Sequence, residues 1–334
     1  MTLIIVLTTT AFAKLQRGQE LDEFHSYVLN EDMLVVDALE RRGFIAKRVG
    51  WDDATFDWST AAAIVIRTVW DYFYRFHEFE AWLQHMTEKK IFMMNSMETV
   101  KWNVDKHYLE DLKDRKVRIC KTTFIDKGVL GHYKVSMSKI IEDNLPWDEY
   151  VVKPCVSGSA RETYRLKRGQ VPTEVDEIYA KLNVAEAFMV QPFQHRVVTD
   201  GEISVVVING EVTHAVLKRA KEGDFRVQID FGGTAVPCEI GEEEKAFAVQ
   251  AVAACDEQPL YARVDMFRDN DDQLALAELE LIEPDLWFHL CRAAADKLAE
   301  GVALRIEILK NQERLASSAA AKTAQEDQPS TAQS

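Results

Sequence analysis

Ala277-Glu278-Leu279-Glu280-Leu281-Ile282-Glu283-Pro284 sets acids at alternate positions of a segment that otherwise reads as a buried strand. Side chains two apart on a strand project from the same face, so Glu278 and Glu280 point together. Asp265, inside the apolar run Tyr261–Phe267, completes an oxygen cluster if the two strands pair. Burying charge is costly unless a cation compensates, and a few carboxylates beside substrate phosphates suit Mg²⁺, with Mn²⁺ as the alternative. The bland reading is a wet strand face above a Leu279 and Leu281 core. Asp269, Asp271 and Asp272 flank Asn270 and read as an exposed turn.

Outward from this segment, the apolar pattern predicts an α/β protein. Strands are expected at Leu3–Leu7, Ile45–Val49, Ala63–Arg67 and Ile91–Met94, with helices at Asp32–Arg42 and Phe76–Met86. That alternation describes a small open parallel-sheet domain over 1–98. A second unit with α+β character follows, divided into a first lobe over 99–186 and a second lobe over 187–311 that carries the acids. Its expected elements are a helix at Lys106–Leu112, strands at Thr122–Ile125 and Tyr150–Lys153, and a helix at Val175–Leu182. Strands Ala187–Gln191, Glu202–Ile208 and Glu211–Lys218 come next, the last two joined by the hairpin signal Asn209-Gly210. A helix Glu242–Cys255 and a final helix Ala293–Lys310 complete the pattern, and the polar composition of 312–334 predicts a disordered tail.

The 334 residues carry a net charge of −15, which leaves no basic stripe for a polyanion and argues against a nucleic-acid partner. Five cysteines without a close pair suggest neither a disulfide framework nor a thiolate zinc site, and they read as reduced and cytoplasmic. The opening Leu3–Leu7 run imitates a signal peptide but lacks a basic flank and is short, so a buried first strand is expected. No apolar stretch reaches the ~18–20 residues of a membrane span.

Two further clusters point to phosphate chemistry. Lys153 ends an apolar strand and precedes Pro154-Cys155-Val156-Ser157-Gly158-Ser159-Ala160, where small residues leave backbone amides accessible to phosphate oxygens. Lys218-Arg219, then Arg226 and Gly232-Gly233, could clamp a carboxylate or a transferring phosphoryl group. Neither the P-loop nor the Rossmann glycine fingerprint occurs.

Read in order, these clusters resemble the ATP-grasp superfamily, in the layout of the prokaryotic glutathione synthetases. The family's lysine-proline strand is similar to Val152-Lys153-Pro154, and its upstream nucleotide lysine to Lys106 in Asn103-Val104-Asp105-Lys106. Its adenine hinge resembles Met189-Val190-Gln191-Pro192-Phe193, and its ribose acid Glu202. Arg219 resembles the arginine after the hairpin strand, and Arg226-Val227-Gln228-Ile229-Asp230-Phe231-Gly232-Gly233 the arginine-to-glycine-pair segment. The metal acids resemble Asp265, Glu278 and Glu280. Arg67-Thr68-Val69-Trp70-Asp71-Tyr72 and the Glu-Leu-Glu-Leu-Ile-Glu-Pro ending look like the branch containing the cycloserine-forming ligase. Departures are Ser204 two after the ribose acid, Glu280 in place of asparagine, Gln228 in place of asparagine, and Gly158 as the one glycine after Lys153.

The resemblance implies a cytoplasmic, ATP- and Mg²⁺-dependent ligase that joins small-molecule carboxylate and amine substrates through an acylphosphate. Lys106, Lys153, Ser157, Gly158 and Ser159 would hold phosphates, Gln191, Pro192 and Phe193 adenine, and Glu202 ribose. Arg219 and Arg226 would serve catalysis, and Arg67, Trp70, Asp71 and Tyr72 would shape the substrate pocket. A degenerate ATP-binding scaffold and a small-molecule kinase remain alternatives, and a homo-oligomer stays open.

Overall fold

The computed structural model describes residues 2–130, 136–228 and 231–326. Its strands are β1 Leu3–Thr8, β2 Ile45–Gly50, β3 Ala63–Thr68, β4 Thr123–Ile125, β5 Glu149–Pro154, β6 Tyr164–Lys167, β7 Phe188–Pro192, β8 Glu202–Ile208, β9 Glu211–Arg219, β10 Thr234–Cys238, β11 Tyr261–Arg268 and β12 Leu274–Glu280. Among the described residues they form three sheets: parallel β2-β1-β3, antiparallel β4-β7-β5-β6, and antiparallel β10-β9-β8-β11-β12.

The first sheet is apolar on both faces because helices cover both. Ile4 and Val6 point to helix Glu23–Arg41 and the final helix, while Ile5 and Leu7 point to helix Phe76–Glu88. This two-sided burial explains the unbroken apolar run of β1. Met93 makes only an isolated parallel bridge to Ile64, so the strand expected at Ile91–Met94 does not form. Helix Glu23–Arg41 starts well before the expected Asp32, capped by Asp22, which accepts from the His25 amide at 2.8 Å. Glu31 and Asp32 look like a first helical turn in sequence, yet both are buried mid-helix, where Asp32 pairs with Arg48 at 2.9 Å and Glu31 accepts from the amides of Phe288 and His289.

The five-stranded sheet is built on the expected hairpin, with Asn209 at φ 52° and Gly210 at φ 82°, the left-handed pair a two-residue type I′ turn requires. Its edge strand β10 was not expected; Pro237 is tolerated there because an edge strand needs fewer ladder donors. One face packs Val205, Val207 and Val264 against helix Glu242–Ala253. The opposite face is divided. Val206, Ile208, Val216 and Tyr261 join the core shared with the first sheet, whereas the charged positions further along the same strands are left facing a cleft.

The final helix runs from Arg292 to Glu326, past the expected end at Lys310 and through the first part of the expected disordered tail. Alanine-rich chain propagates a helix already nucleated upstream without needing tertiary contacts. Residues 327–334 lie outside the described residues. Among the described residues no helix is long and apolar enough to cross a membrane.

Candidate functional site

Strand register brings seven polar side chains onto one patch. β8 pairs Glu202 with Lys218 and Ser204 with Asp265, and β11 pairs Arg263 with Glu280 and Asp265 with Glu278. Each pair lies directly opposite across the ladder, so all share the cleft face. The cleft itself, of ≈ 1190 Å³, opens between this sheet, the four-stranded sheet and the first domain.

Asp265 is the hub of the patch. Its Oδ1 accepts from Ser204 Oγ at 2.7 Å and Arg263 Nε at 2.9 Å, and its Oδ2 from Lys218 Nζ and Arg263 Nη2, both at 2.9 Å. Four bonds fill the roughly four acceptor sites of a carboxylate. Burial pushes its pKa up, but Arg263 and Lys218 outweigh that and hold it below the ordinary range. Lys218 also pairs with Glu202 at 2.5 Å, and Arg263 with Glu280.

Glu278 and Glu280 are differently placed, with side chains 29% and 27% exposed to the cleft against 4% for Asp265. Glu278 pairs with Lys106 at 2.9 Å; burial raises its pKa, while Lys106 and Lys153 lower it further, leaving it below the usual value. Burial drives Glu280 up to about 8 against the pull of Arg263, with Asp265, Glu278 and Glu283 adding repulsion. Glu283 is pushed up to about 7, chiefly by burial. Glu278, ionised and part-exposed, stands beside Glu280, which crowding keeps protonated beyond the usual range, and the repulsion between their oxygens is what a divalent cation relieves. Glu278 and Glu280 therefore fit Mg²⁺. Asp265 fits less well: its acceptor sites are taken, and the oxygens of the three acids do not all come within 4.8 Å of one another. The expectation of three equal metal acids is corrected in that respect, because the cations Arg263 and Lys218 sit on the same face.

Across the cleft, Lys106 donates to the Ser157 carbonyl at 2.7 Å. Lys153 has no ion-pair partner among the described residues, and burial lowers its pKa. The Ser157–Ala160 loop is strained, with Ser159 at φ 45° and Ala160 at φ 53°, conformations costing about 1–3 kcal/mol each outside glycine. A Cβ on Gly158 would stand 2.5 Å from Phe73 Cε1, so this glycine serves close approach to the first domain. At the hinge, the Phe193 amide donates to the Glu149 carbonyl and its carbonyl accepts from Asn270, while the Pro192 carbonyl accepts from Gln194. Each carbonyl keeps a second lone pair, but the Phe193 N–H is already used.

Arg226 lines the cleft with two of its N–H groups held by Asp224, which Arg226 depresses to about 2. Trp70 and Asp71 line it too; Trp70 Nε1 donates to the Glu283 carbonyl at 2.9 Å, and Asp71 accepts from Trp51 and pairs with Arg75.

A model described as "RimK-like ATP-grasp domain" matches residues 125–281, and one described as "D-cycloserine synthetase DcsG, N-terminal domain" matches residues 4–95. The cycloserine biosynthesis protein DcsG of Streptomyces lavendulae is 27% identical over 286 residues, 82% of this chain and 93% of that protein. Residues 125–281 are a RimK-like ATP-grasp domain. A probable alpha-L-glutamate ligase of Klebsiella pneumoniae is 44% identical over 50 residues, 15% of this chain and 17% of that one. The ATP-grasp fold is shared with the crystal structure of D-cycloserine synthetase DcsG at TM-score 0.76 and 24% identity, over 91% of this chain and 99% of that one. It is shared also with D-alanine–D-alanine ligase from Bacillus anthracis at TM-score 0.62 and 13% identity, over 94% and 100% of the two chains. The relatives whose names state a reaction are ligases or synthetases.

Within the ATP-grasp cleft the structure gathers Lys106, Lys153, the Ser157–Ser159 loop, Gln191 to Phe193, and Glu202 with the acids of β11 and β12. Three expected residues fall elsewhere. Arg219 is exposed and does not line the cleft, because on β9 it alternates with Lys218, which does. Arg67 is buried in the interdomain core, donating to the Pro284 carbonyl at 3.1 Å and lying over the Phe288 ring. Tyr72 is buried beside Phe79 and reaches Glu283 rather than the open cleft. Ile229 and Asp230 lie outside the described residues. Arg263 is a cleft residue the motifs did not single out, and register with Glu280 is the signal that finds it; Lys218 and Gln228, which the sequence clusters included, line the cleft as well, Gln228 with a buried Oε1 that lacks a partner among the described residues.

Proposed function

We propose that this ATP-grasp ligase joins the carboxylate of a small amino-acid or peptide-like substrate to an amine through an acylphosphate, releasing ADP and phosphate. The observation that carries the reading is the opposition of two lysines, one without an ion-pair partner among the described residues, to a cleft face holding the part-exposed pair Glu278 and Glu280.

In this reading Lys153 and Lys106 bind the triphosphate oxygens, Lys106 exchanging part of its bond to Glu278 for phosphate. The Ser157–Ala160 loop closes over the phosphates, its left-handed residues directing backbone amides inward. Adenine lies against Phe193 and accepts or donates at the remaining hinge groups, and ribose hydroxyls donate to Glu202. Glu278 and Glu280 would hold Mg²⁺, which when bound neutralises charge on the phosphates. Asp265 keeps Lys218 and Arg263 in place.

The substrate carboxylate oxygen attacks the γ-phosphorus as the bond to the β-phosphate bridging oxygen breaks, giving ADP and an acylphosphate. The amine then attacks the acyl carbon, loses a proton, and expels inorganic phosphate. Arg226 stabilises the oxyanion of the tetrahedral species with the N–H groups Asp224 leaves available. Trp70 and Asp71 form the substrate-side wall.

The test is ADP and phosphate release against panels of amino acids and short peptides. Release that requires both a carboxylate and an amine, with one phosphate per amide formed, is expected. A stable phosphorylated product with no amide would instead establish a kinase.

A further inference from the structure

Behind the nucleotide lysines, three groups of mixed chemistry converge from two separate segments. Asp105 and His107 flank Lys106, and Cys155 follows Lys153-Pro154 at the end of β5. One ligand atom from each lies within 4.8 Å of the others. Zinc bonds of ~2.0–2.3 Å in a tetrahedron put ligand atoms about 3.3–3.8 Å apart, so a contraction of about 1.0–1.5 Å at most closes the set. The His107 ring is already fixed, stacked on Phe124 at 4.2 Å between centroids and hydrogen-bonded to Asp105 at 2.6 Å. Cys155 is 1% exposed, whereas Asp105 and His107 have side chains 45% and 35% exposed, which leaves an entry path and an open coordination position on their side.

We infer that Asp105, His107 and Cys155 form a binding site for a thiophilic divalent cation of the zinc class, separate from the magnesium carboxylates. A thiolate, an imidazole and one carboxylate select borderline-soft ions over Mg²⁺, which prefers oxygen alone. The ion takes up the Cys155 thiolate and the thiol proton leaves to solvent. The site is mechanically tied to the lysines: the Lys106 amide donates to the Cys155 carbonyl at 3.0 Å, and the Lys106 ammonium holds the Ser157 carbonyl at 2.7 Å. An occupied site therefore fixes the backbone on either side of Lys106 and, two residues along, of Lys153. This coupling, unlike the site itself, rests on the nucleotide reading above.

Co²⁺ serves as the probe, in the full-length, chelator-treated protein. The expected result is a single-equivalent thiolate-to-cobalt charge-transfer band, displaced by Zn²⁺ and untouched by millimolar Mg²⁺. It should vanish in Cys155→Ser, persist in Cys255→Ser, and need at least tenfold more Co²⁺ in His107→Ala. Circular dichroism checks that each variant is folded. No thiolate band in the wild type, or a band that survives Cys155→Ser, overturns the site. For the coupling, Zn²⁺ should change the ATP dissociation constant several-fold in the wild type and leave it unchanged in Cys155→Ser; equal constants in the wild type overturn the coupling while the cobalt band still decides the site.

Discussion

Glu280→Gln should make the metal-free protein more stable while removing its response to magnesium. Glu280 carries a pKa of about 8 against an ordinary 4.5, driven by burial and by Asp265, Glu278 and Glu283 in excess of the attraction of Arg263. A carboxyl whose folded pKa is raised stabilises the fold fully below about 4.5 and loses that contribution as pH climbs through 8. At pH 8 and above the deficit approaches about 4–5 kcal/mol as a ceiling, from a shift of about 3.5 units at about 1.36 kcal/mol each. Glutamine never carries the charge; the pull of Arg263 is already contained in the net shift, and the 27% exposure of the Glu280 side chain to the cleft screens roughly half of that ceiling. A net gain of about 2 kcal/mol remains. For a chain of this length the unfolding entropy is about 0.7 kcal/mol per kelvin, so the gain is about 3 °C in Tm. Thermal melts of both proteins in chelator from pH 5 to 9 read it directly: the variant's advantage should grow between pH 5 and 8 and level off above. Adding Mg²⁺ with ATP should then raise the wild-type Tm and leave the variant's nearly still. A variant less stable than wild type at pH 8 in chelator refutes the crowded-acid reasoning.

Lys153→Ala should weaken ATP binding at least tenfold by calorimetry, since a charge-assisted contact contributes about 1.5–3 kcal/mol; unchanged affinity removes Lys153 from the phosphate site. Gly158→Ala drives a methyl into Phe73 and should cost about 1–3 kcal/mol of thermal stability, with Phe73→Leu in the same chain restoring most of it; no loss would show that the loop is not seated on the first domain. Arg219→Ala, on the exposed side of β9, should leave kcat and KM within twofold, and a loss above tenfold would return that arginine to the active site. Asp265→Asn leaves Lys218 and Arg263 each one acid short and should destabilise by about 3 kcal/mol, toward the lower end for a broken buried pair because Glu202 and Glu280 remain; a neutral effect would contradict its place as hub.

The strands of the charged sheet were legible because period-2 patterning survives in them: Val205, Val207, Val264 and Leu279 mark one face, and the acids between them the other. The acids therefore announced themselves. Their counter-ions did not, since Arg263 meets Glu280 and Lys218 meets Glu202 only through pairings between strands, and neither pairing has a local signature. The same one-residue alternation decided Lys218 over Arg219, a choice that motif order cannot make without knowing which face looks into the cleft. In the first domain, Trp70 reaches the cleft while Arg67 is drawn into the Pro284 carbonyl and the Phe288 ring, contacts with a segment more than two hundred positions away. The final helix extends past Lys310 because alanine needs no partner to stay helical; composition that cannot build a core still builds a helix.

The account turns on Glu278 and Glu280 gripping magnesium against a triphosphate held by the lysines opposite. Calorimetric titration of a non-hydrolysable ATP analogue into wild type and into the Glu278→Gln, Glu280→Gln double variant, each with and without Mg²⁺, measures this directly. Magnesium should tighten wild-type binding at least tenfold and do nothing for the double variant. Equal magnesium enhancement in both proteins would contradict the account.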